Sequence, residues 1–111
     1  MSHPPELTVQ ELSAWLADAS RPRPVLLDVR TNAEHAICAF PGALLIPLHE
    51  LEARSAEVQA LQGRPVVVYC HHGVRSLSGA AFARSLGVDA ASLEGGIDAW
   101  SAEIDRDVPR Y

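Results

Sequence analysis

A chain of 111 residues suits one compact domain and leaves no room for two. Its apolar fraction, 48%, is normal for a globular protein, no apolar run is long enough to span a bilayer, and a domain of this size needs neither disulfide nor metal to hold together. The net charge of −5, with no lysine and all fixed side-chain positive charge on arginine, excludes the basic footprint of a nucleic-acid binder.

The opening stretch MSHPPELTVQ lacks the charged start and apolar run of a signal peptide, so a reducing, cytoplasmic setting is expected. Free thiols are then the expectation for Cys38 and Cys70. Residues 1–5 and 105–111 read as surface tails of a single domain spanning 1–111.

In LTVQELSAWLADA, Thr8 and Glu11 have capping-box spacing, Leu7 and Leu12 can form a hydrophobic staple, and Leu12, Trp15, Leu16 and Ala19 mark one helical face. After the break SRPRP comes PVLLDVR, a short apolar run that reads as a buried strand. TNAEHA repeats the capping-box spacing with Thr31 and Glu34, which predicts a short helix. ALLIP, residues 43–47, is a second strand. Residues 49–62 are good helix formers with Leu51, Val58 and Leu61 on one face, and Gly63 is a plausible stop. PVVVYC, residues 65–70, is the clearest strand. SLSGAAFARSLG is a helix rich in small residues, AASL a weak strand, and GGIDAWSAEI a last helical turn or two. Alternating strand and helix signals, with strands apolar at successive positions, predict an α/β fold with a parallel sheet covered on both faces and right-handed crossovers. Ligands of such sheets bind beyond the carboxyl ends of the strands, and Cys70 sits at one.

The stretch YCHHGVRS, residues 69–76, admits three readings of Cys70: nucleophile, metal ligand or buried thiol. A lone cysteine at a strand end is ordinarily a small hydrophobe. Here Gly73 lets the backbone curl so that amides point inward, Arg75 adds a positive charge suited to oxyanions, and a helix N-terminus follows. Ser76 can donate to the sulfur or cap that helix. These features favour a thiolate that meets an anionic substrate. No metal is expected, because Cys70, His71 and His72 are consecutive and no second ligand pair is visible in the sequence. His71 and His72 are expected on the loop's outer face, tuning charge near neutral pH or merely solvated.

Three stretches together resemble the single-domain rhodanese (thiosulfate sulfurtransferase) family: LLDVRTNAEHAICAFPGALLIPL, CHHGVRS and LEGGIDAW. The resemblance implies a rhodanese-like central parallel five-stranded sheet with helices on both faces and no cofactor. It implies that Cys70 is the catalytic residue and that His71, His72, Gly73, Val74, Arg75 and Ser76 bind substrate, Arg75 by closing the loop and holding the donor. Asp28, Arg30 and Glu34 match the first signature as structural support, with an Arg30–Glu34 ion pair expected. Gly95 and Gly96 match a backbone turn, and Trp100 is expected to pack. The implied partners are a small anionic sulfur donor, a thiol or cyanide acceptor, and a persulfide-donor or acceptor protein, with no nucleic acid and no membrane. A persulfide carrier or docking module with little activity on thiosulfate is the alternative. The four residues between Cys70 and Arg75 disfavour a phosphatase or arsenate reductase, since the related phosphatases carry one residue more there. Cys38-Ala39-Phe40 departs from the family pattern, which has Gly-His before an apolar residue at that place; Cys38 is expected as apolar filler.

Overall fold

The computed structural model describes residues 3–111. Threonine caps set the first two helices. At α1 (Val9–Ala17) the Thr8 hydroxyl accepts the Glu11 amide at 3.1 Å, and the Glu11 carboxylate accepts the Thr8 amide at 3.0 Å. Thr31 and Glu34 repeat this at α2 (Asn32–Ile37), so each box satisfies two otherwise orphaned amides. Helix α1 stops before Ala19, which is exposed in the next turn. The Asp18 carboxylate accepts both the Ser20 amide and hydroxyl there, a local bond that competes with continued helix.

The sheet is five-stranded and all parallel, in the order β1-β5-β4-β2-β3. Its strands are β1 (Glu6–Leu7), β2 (Val25–Asp28), β3 (Leu44–Leu45), β4 (Pro65–Tyr69) and β5 (Asp89–Leu93). Four coincide with the expected strand stretches. The fifth, β1, is only two residues long, too short to carry a periodic signal. Pro4 is buried beside it and the Ser92 amide donates to the Pro5 carbonyl at 2.9 Å, so residues 4–5 of the expected N-terminal tail continue the sheet edge, while residues 1–2 of that tail lie outside the described residues.

Alternate strand residues feed two separate cores. Leu27, Val66 and Val68 pack with Val58 and Leu61 of the α3 (Ser55–Gln59) region and with Ala80 and Ala83 of α4 (Arg75–Ser85). Leu26, Val67 and Tyr69 pack with Val9 and Leu12 of α1 and Ile97 of α5 (Gly96–Glu103). This two-sided cover is why β4 and the body of β2 are apolar at successive positions, each fully buried Leu or Val contributing about 1.5–3 kcal/mol. The small residues of α4 let it approach closely: a Cβ on Gly79 would stand 3.1 Å from Val68 and 3.2 Å from Val29.

The single helix expected over residues 49–62 is broken into a 3₁₀ turn (Leu48–Glu50), further turns and α3. Arg54 leaves helical geometry (φ −106°, ψ 28°) while its guanidinium bonds both Glu50 and Glu57. Leu51, Val58 and Leu61 are nonetheless all buried, so the apolar pattern survives the break. At the other end of the chain, Val108 packs on the α1/α5 layer and its carbonyl accepts the Ser101 hydroxyl at 2.6 Å. Residues 105–111 are therefore held against the domain. Among the described residues, no helix is long and apolar enough to cross a membrane.

Candidate active site around Cys70

Strand β4 lies in the middle of the sheet and ends one residue before Cys70, whose exposure is 1%. Two backbone amides donate to its Sγ, that of Gly73 at 3.1 Å and that of Ser76 at 3.4 Å. The Ser76 hydroxyl lies 3.5 Å from the sulfur and 2.7 Å from the Ser92 hydroxyl on β5. Amides aimed at one atom form a nest that receives negative charge on it.

Glycine makes this loop possible at two points. Gly73 has φ +94°, and a Cβ there would stand 2.9 Å from the Gly95 amide nitrogen. Gly96 has φ +62° and backs onto the loop's own carbonyls, where a Cβ would stand 2.5 Å from the Cys70 oxygen and closer still to that of His71. The next amides of α5, from Ile97 and Asp98, donate to those same carbonyls at 2.9 and 3.0 Å. The loop is thus clamped between the starts of α4 and α5.

The other expected site residues are distributed unevenly. Ser76 is fully buried in the first turn of α4 and reaches the sulfur, while Val74 occupies the cap position. The Val74 side chain is 73% exposed. The His72 side chain is 64% exposed, as expected of an outer-face residue, but that of His71 is only 17% exposed. The His71 ring stacks on both His72 and Tyr111, each at a centroid separation of 3.9 Å. Burial, with His72 beside it, pushes the His71 imidazole below its ordinary value.

The expected Arg30–Glu34 ion pair does not form. Buried Arg30 pairs with Asp28 at 2.9 and 2.7 Å and meets Glu34 only at its backbone carbonyl. Asp28 lies two residues away on the same strand end, so the shortest route satisfies both buried charges. Arg30 also donates to the Cys38 carbonyl at 2.6 Å and the Tyr111 hydroxyl at 2.9 Å, while His35 bonds Asp28 at 2.8 Å. Burial alone would raise the Asp28 carboxyl, yet the bonds from Arg30 and His35 prevail and lower it.

Arg75 takes Glu34 instead, with a bidentate bond at 2.7 and 2.8 Å. Both terminal nitrogens of Arg75 are therefore engaged, where the sequence suggested a fork turned to the donor. The pair ties α2 to the first residue of α4 and so steadies the Cys70 loop from outside. The Tyr111 hydroxyl donates to Glu34 at 2.8 Å, and Tyr111 itself, mainly through burial, is pushed up to about 12.

The Arg75 bonds hold the Glu34 carboxyl far below its ordinary 4.5. A depressed carboxyl stabilises the fold above its unfolded pKa, and that contribution is lost as pH falls below about 4.5. Glu34→Gln is expected to cost about 1–2 kcal/mol at pH 7, discounted for the partial exposure of Arg75. Urea unfolding from pH 7 down to pH 3 should show the gap between wild type and variant narrowing. A gap that stays constant would sink this assignment. The remaining acid sensitivity, from Asp28 and the other lowered carboxyls such as Asp98, is common to both proteins.

Ser92, Asp98 and Tyr111 were not identifiable from the sequence as neighbours of the site. Ser92 had one weak signal, a hydroxyl within an otherwise buried strand; the positions of Asp98 and Tyr111 depend on how distant segments fold back. Cys38 is buried as expected, but in the core layer opposite that of Cys70. Phe40, which follows the atypical Cys38-Ala39 pair, packs edge-on against Tyr69 and Trp100, and its amide donates to the Tyr69 hydroxyl at 3.3 Å.

A cysteine presented to inward-facing amides at the end of a central parallel strand places the chain in the class of α/β proteins built around a cysteine loop. Within that class the chain belongs to the rhodanese-like domain family, whose family model matches residues 8–103. It is 36% identical over 103 residues to the human thiosulfate:glutathione sulfurtransferase, covering 82% of this chain and 87% of the relative. The solved structure of the human single-domain sulfurtransferase TSTD1 is similar, with a TM-score of 0.74, 34% identity, and coverage of 89% of this chain and 96% of that one. Other relatives are much longer. The chain is 37% identical over 106 residues to the Mycobacterium tuberculosis protein named "Probable adenylyltransferase/sulfurtransferase MoeZ", covering 95% of this chain but 26% of that protein. Sulfur transfer is the general activity this family membership supports.

Proposed function

We propose that the domain moves a sulfane sulfur from thiosulfate or a persulfide donor to a thiol or cyanide, through a persulfide on Cys70. The observation that carries this reading is the pair of amides, from Gly73 and Ser76, directed at the Cys70 sulfur. In the first step the Cys70 thiolate attacks the outer sulfur of thiosulfate. A new S–S bond forms, the S–S bond of thiosulfate breaks, and its electron pair leaves with sulfite. In the second step the acceptor attacks the outer sulfur, and the electron pair of the Cys70 S–S bond returns to Cys70. The products are thiocyanate from cyanide or a new persulfide from a thiol, a ping-pong pattern with a covalent intermediate. The loop amides stabilise the charge on sulfur in both steps. The human relative's name joins thiosulfate with glutathione, which supports the same donor and a thiol acceptor here.

Intact-protein mass spectrometry tests the first step. Thiosulfate is expected to add one sulfur atom to the folded protein, and cyanide to remove it with release of thiocyanate. Folded protein that never gains the sulfur overturns the reading. The longer relatives, named for an adenylyltransferase as well as a sulfurtransferase, favour a second reading: a carrier loaded by a partner protein. Fast loading by a protein persulfide, alongside negligible loading by thiosulfate, distinguishes it.

A further inference from the structure

His71, His72 and Asp98 bring their ligand atoms together, all within 4.8 Å of one another. His71 Nε2 is 4.0 Å from one Asp98 oxygen and His72 Nε2 is 3.8 Å from the other, too far for hydrogen bonds. Among the described residues His71 Nε2 is buried without a hydrogen-bond partner, a condition that buried polar atoms rarely keep. The ring that carries it is held in place. Tyr111 stacks on it at an interplanar angle of 11° and His72 at 25°, and two rings cannot share one face, so His71 is sandwiched. Tyr111 is in turn anchored through its hydroxyl to Glu34 and Arg30.

We propose that His71, His72 and Asp98 form a binding site for a divalent transition ion of the zinc type, separate from the Cys70 sulfur. Two imidazoles and one carboxylate are a zinc donor set, with the fourth position left to water. His72, at 64% exposure, leaves an entry path from solvent. Sharing an ion at tetrahedral geometry requires ligand atoms about 3.3 Å apart, closer than the observed 3.8 and 4.0 Å, so the ion would draw Asp98 toward the held His71 ring while exposed His72 turns out of its stack to aim its nitrogen at the same point. Asp98 also pairs with Arg110 at 3.0 and 3.1 Å, but that arginine is 61% exposed, and exposed pairs yield at little cost. Three consecutive side chains rarely converge on one ion, and in the sequence the histidines adjoin Cys70. The fold turns them instead to a third ligand contributed by α5, from a distant part of the chain. A bound ion would cross-link the Cys70 loop to the first turn of α5.

Calorimetric titration of the metal-free protein with Zn²⁺, and absorption with Co²⁺, test the site. One ion per chain is expected, with visible d–d bands and without the intense near-ultraviolet thiolate-to-cobalt band. Cys70→Ser should retain the affinity, whereas His72→Ala and Asp98→Asn, each checked for folding by circular dichroism, should weaken it by roughly tenfold or more. The proposal is overturned if no stoichiometric ion binds, if binding is lost in Cys70→Ser, or if neither ligand variant alters it. None of these readouts depends on sulfur transfer.

Discussion

Replacing Cys70 with serine is expected to abolish persulfide formation and to lower sulfur transfer by roughly 10³-fold or more. The reaction requires an atom that both attacks sulfur and later leaves from it. A serine hydroxyl is a poor nucleophile at neutral pH and forms no S–S bond. The fold should survive. The side chain at position 70 is buried, its two amide donors find an oxygen acceptor as readily as a sulfur, and the volume change is small. Thiocyanate release under steady state, together with urea unfolding, measures both halves of the expectation. A serine variant that keeps a tenth of the wild-type rate would show that Cys70 is not the nucleophile. One that loses activity by unfolding would leave the stability half wrong.

Gly96→Ala is expected to destabilise the domain by about 2–5 kcal/mol, the sum of a left-handed conformation and an overpacked contact. Its φ of +62° is unfavourable for any side chain, and the added Cβ would press on the carbonyl oxygens of Cys70 and His71. Those carbonyls are backbone, held by the Ile97 and Asp98 amides, so they have little room to retreat. A loss of this size is a large part of the roughly 5–15 kcal/mol available to a small domain. Gly42→Ala is the matched control. It has a similar φ of +75° but nothing within 4 Å of the new Cβ, so it should cost only about 1–2 kcal/mol. Midpoints of urea unfolding at an unchanged slope read the difference directly. Equal losses in the two variants would mean that the clamp on the Cys70 loop carries no strain.

Much of this architecture is legible without coordinates because its signals are local. The Thr8–Glu11 and Thr31–Glu34 boxes act over three residues, and both form. PVVVYC is a strand because both faces of the sheet are covered, and its apolar run states that directly. Gly73 has the positive φ that a curled loop needs, and Cys70 receives the loop's amides. Errors arise where several acceptors compete. Arg30 has two carboxylates nearby in the chain, Asp28 two positions before it and Glu34 four after, and only the fold brings Arg75 to Glu34, across forty-one positions. The break between the 3₁₀ turn at Leu48–Glu50 and α3 likewise escapes helix propensity, which favours a continuous helix there.

Most of the element order, the covered parallel sheet and the place of Cys70 at the end of its central strand are therefore written in the sequence itself, since backbone geometry and apolar periodicity operate over a few neighbouring residues. The choice of Arg75's partner, the support of Ser76 by Ser92, the return of Tyr111 over His71 and the approach of Asp98 to both histidines belong to tertiary structure alone. Each joins residues far apart in the chain, and such contacts are set by how strands and helices pack, which no local pattern of residues encodes.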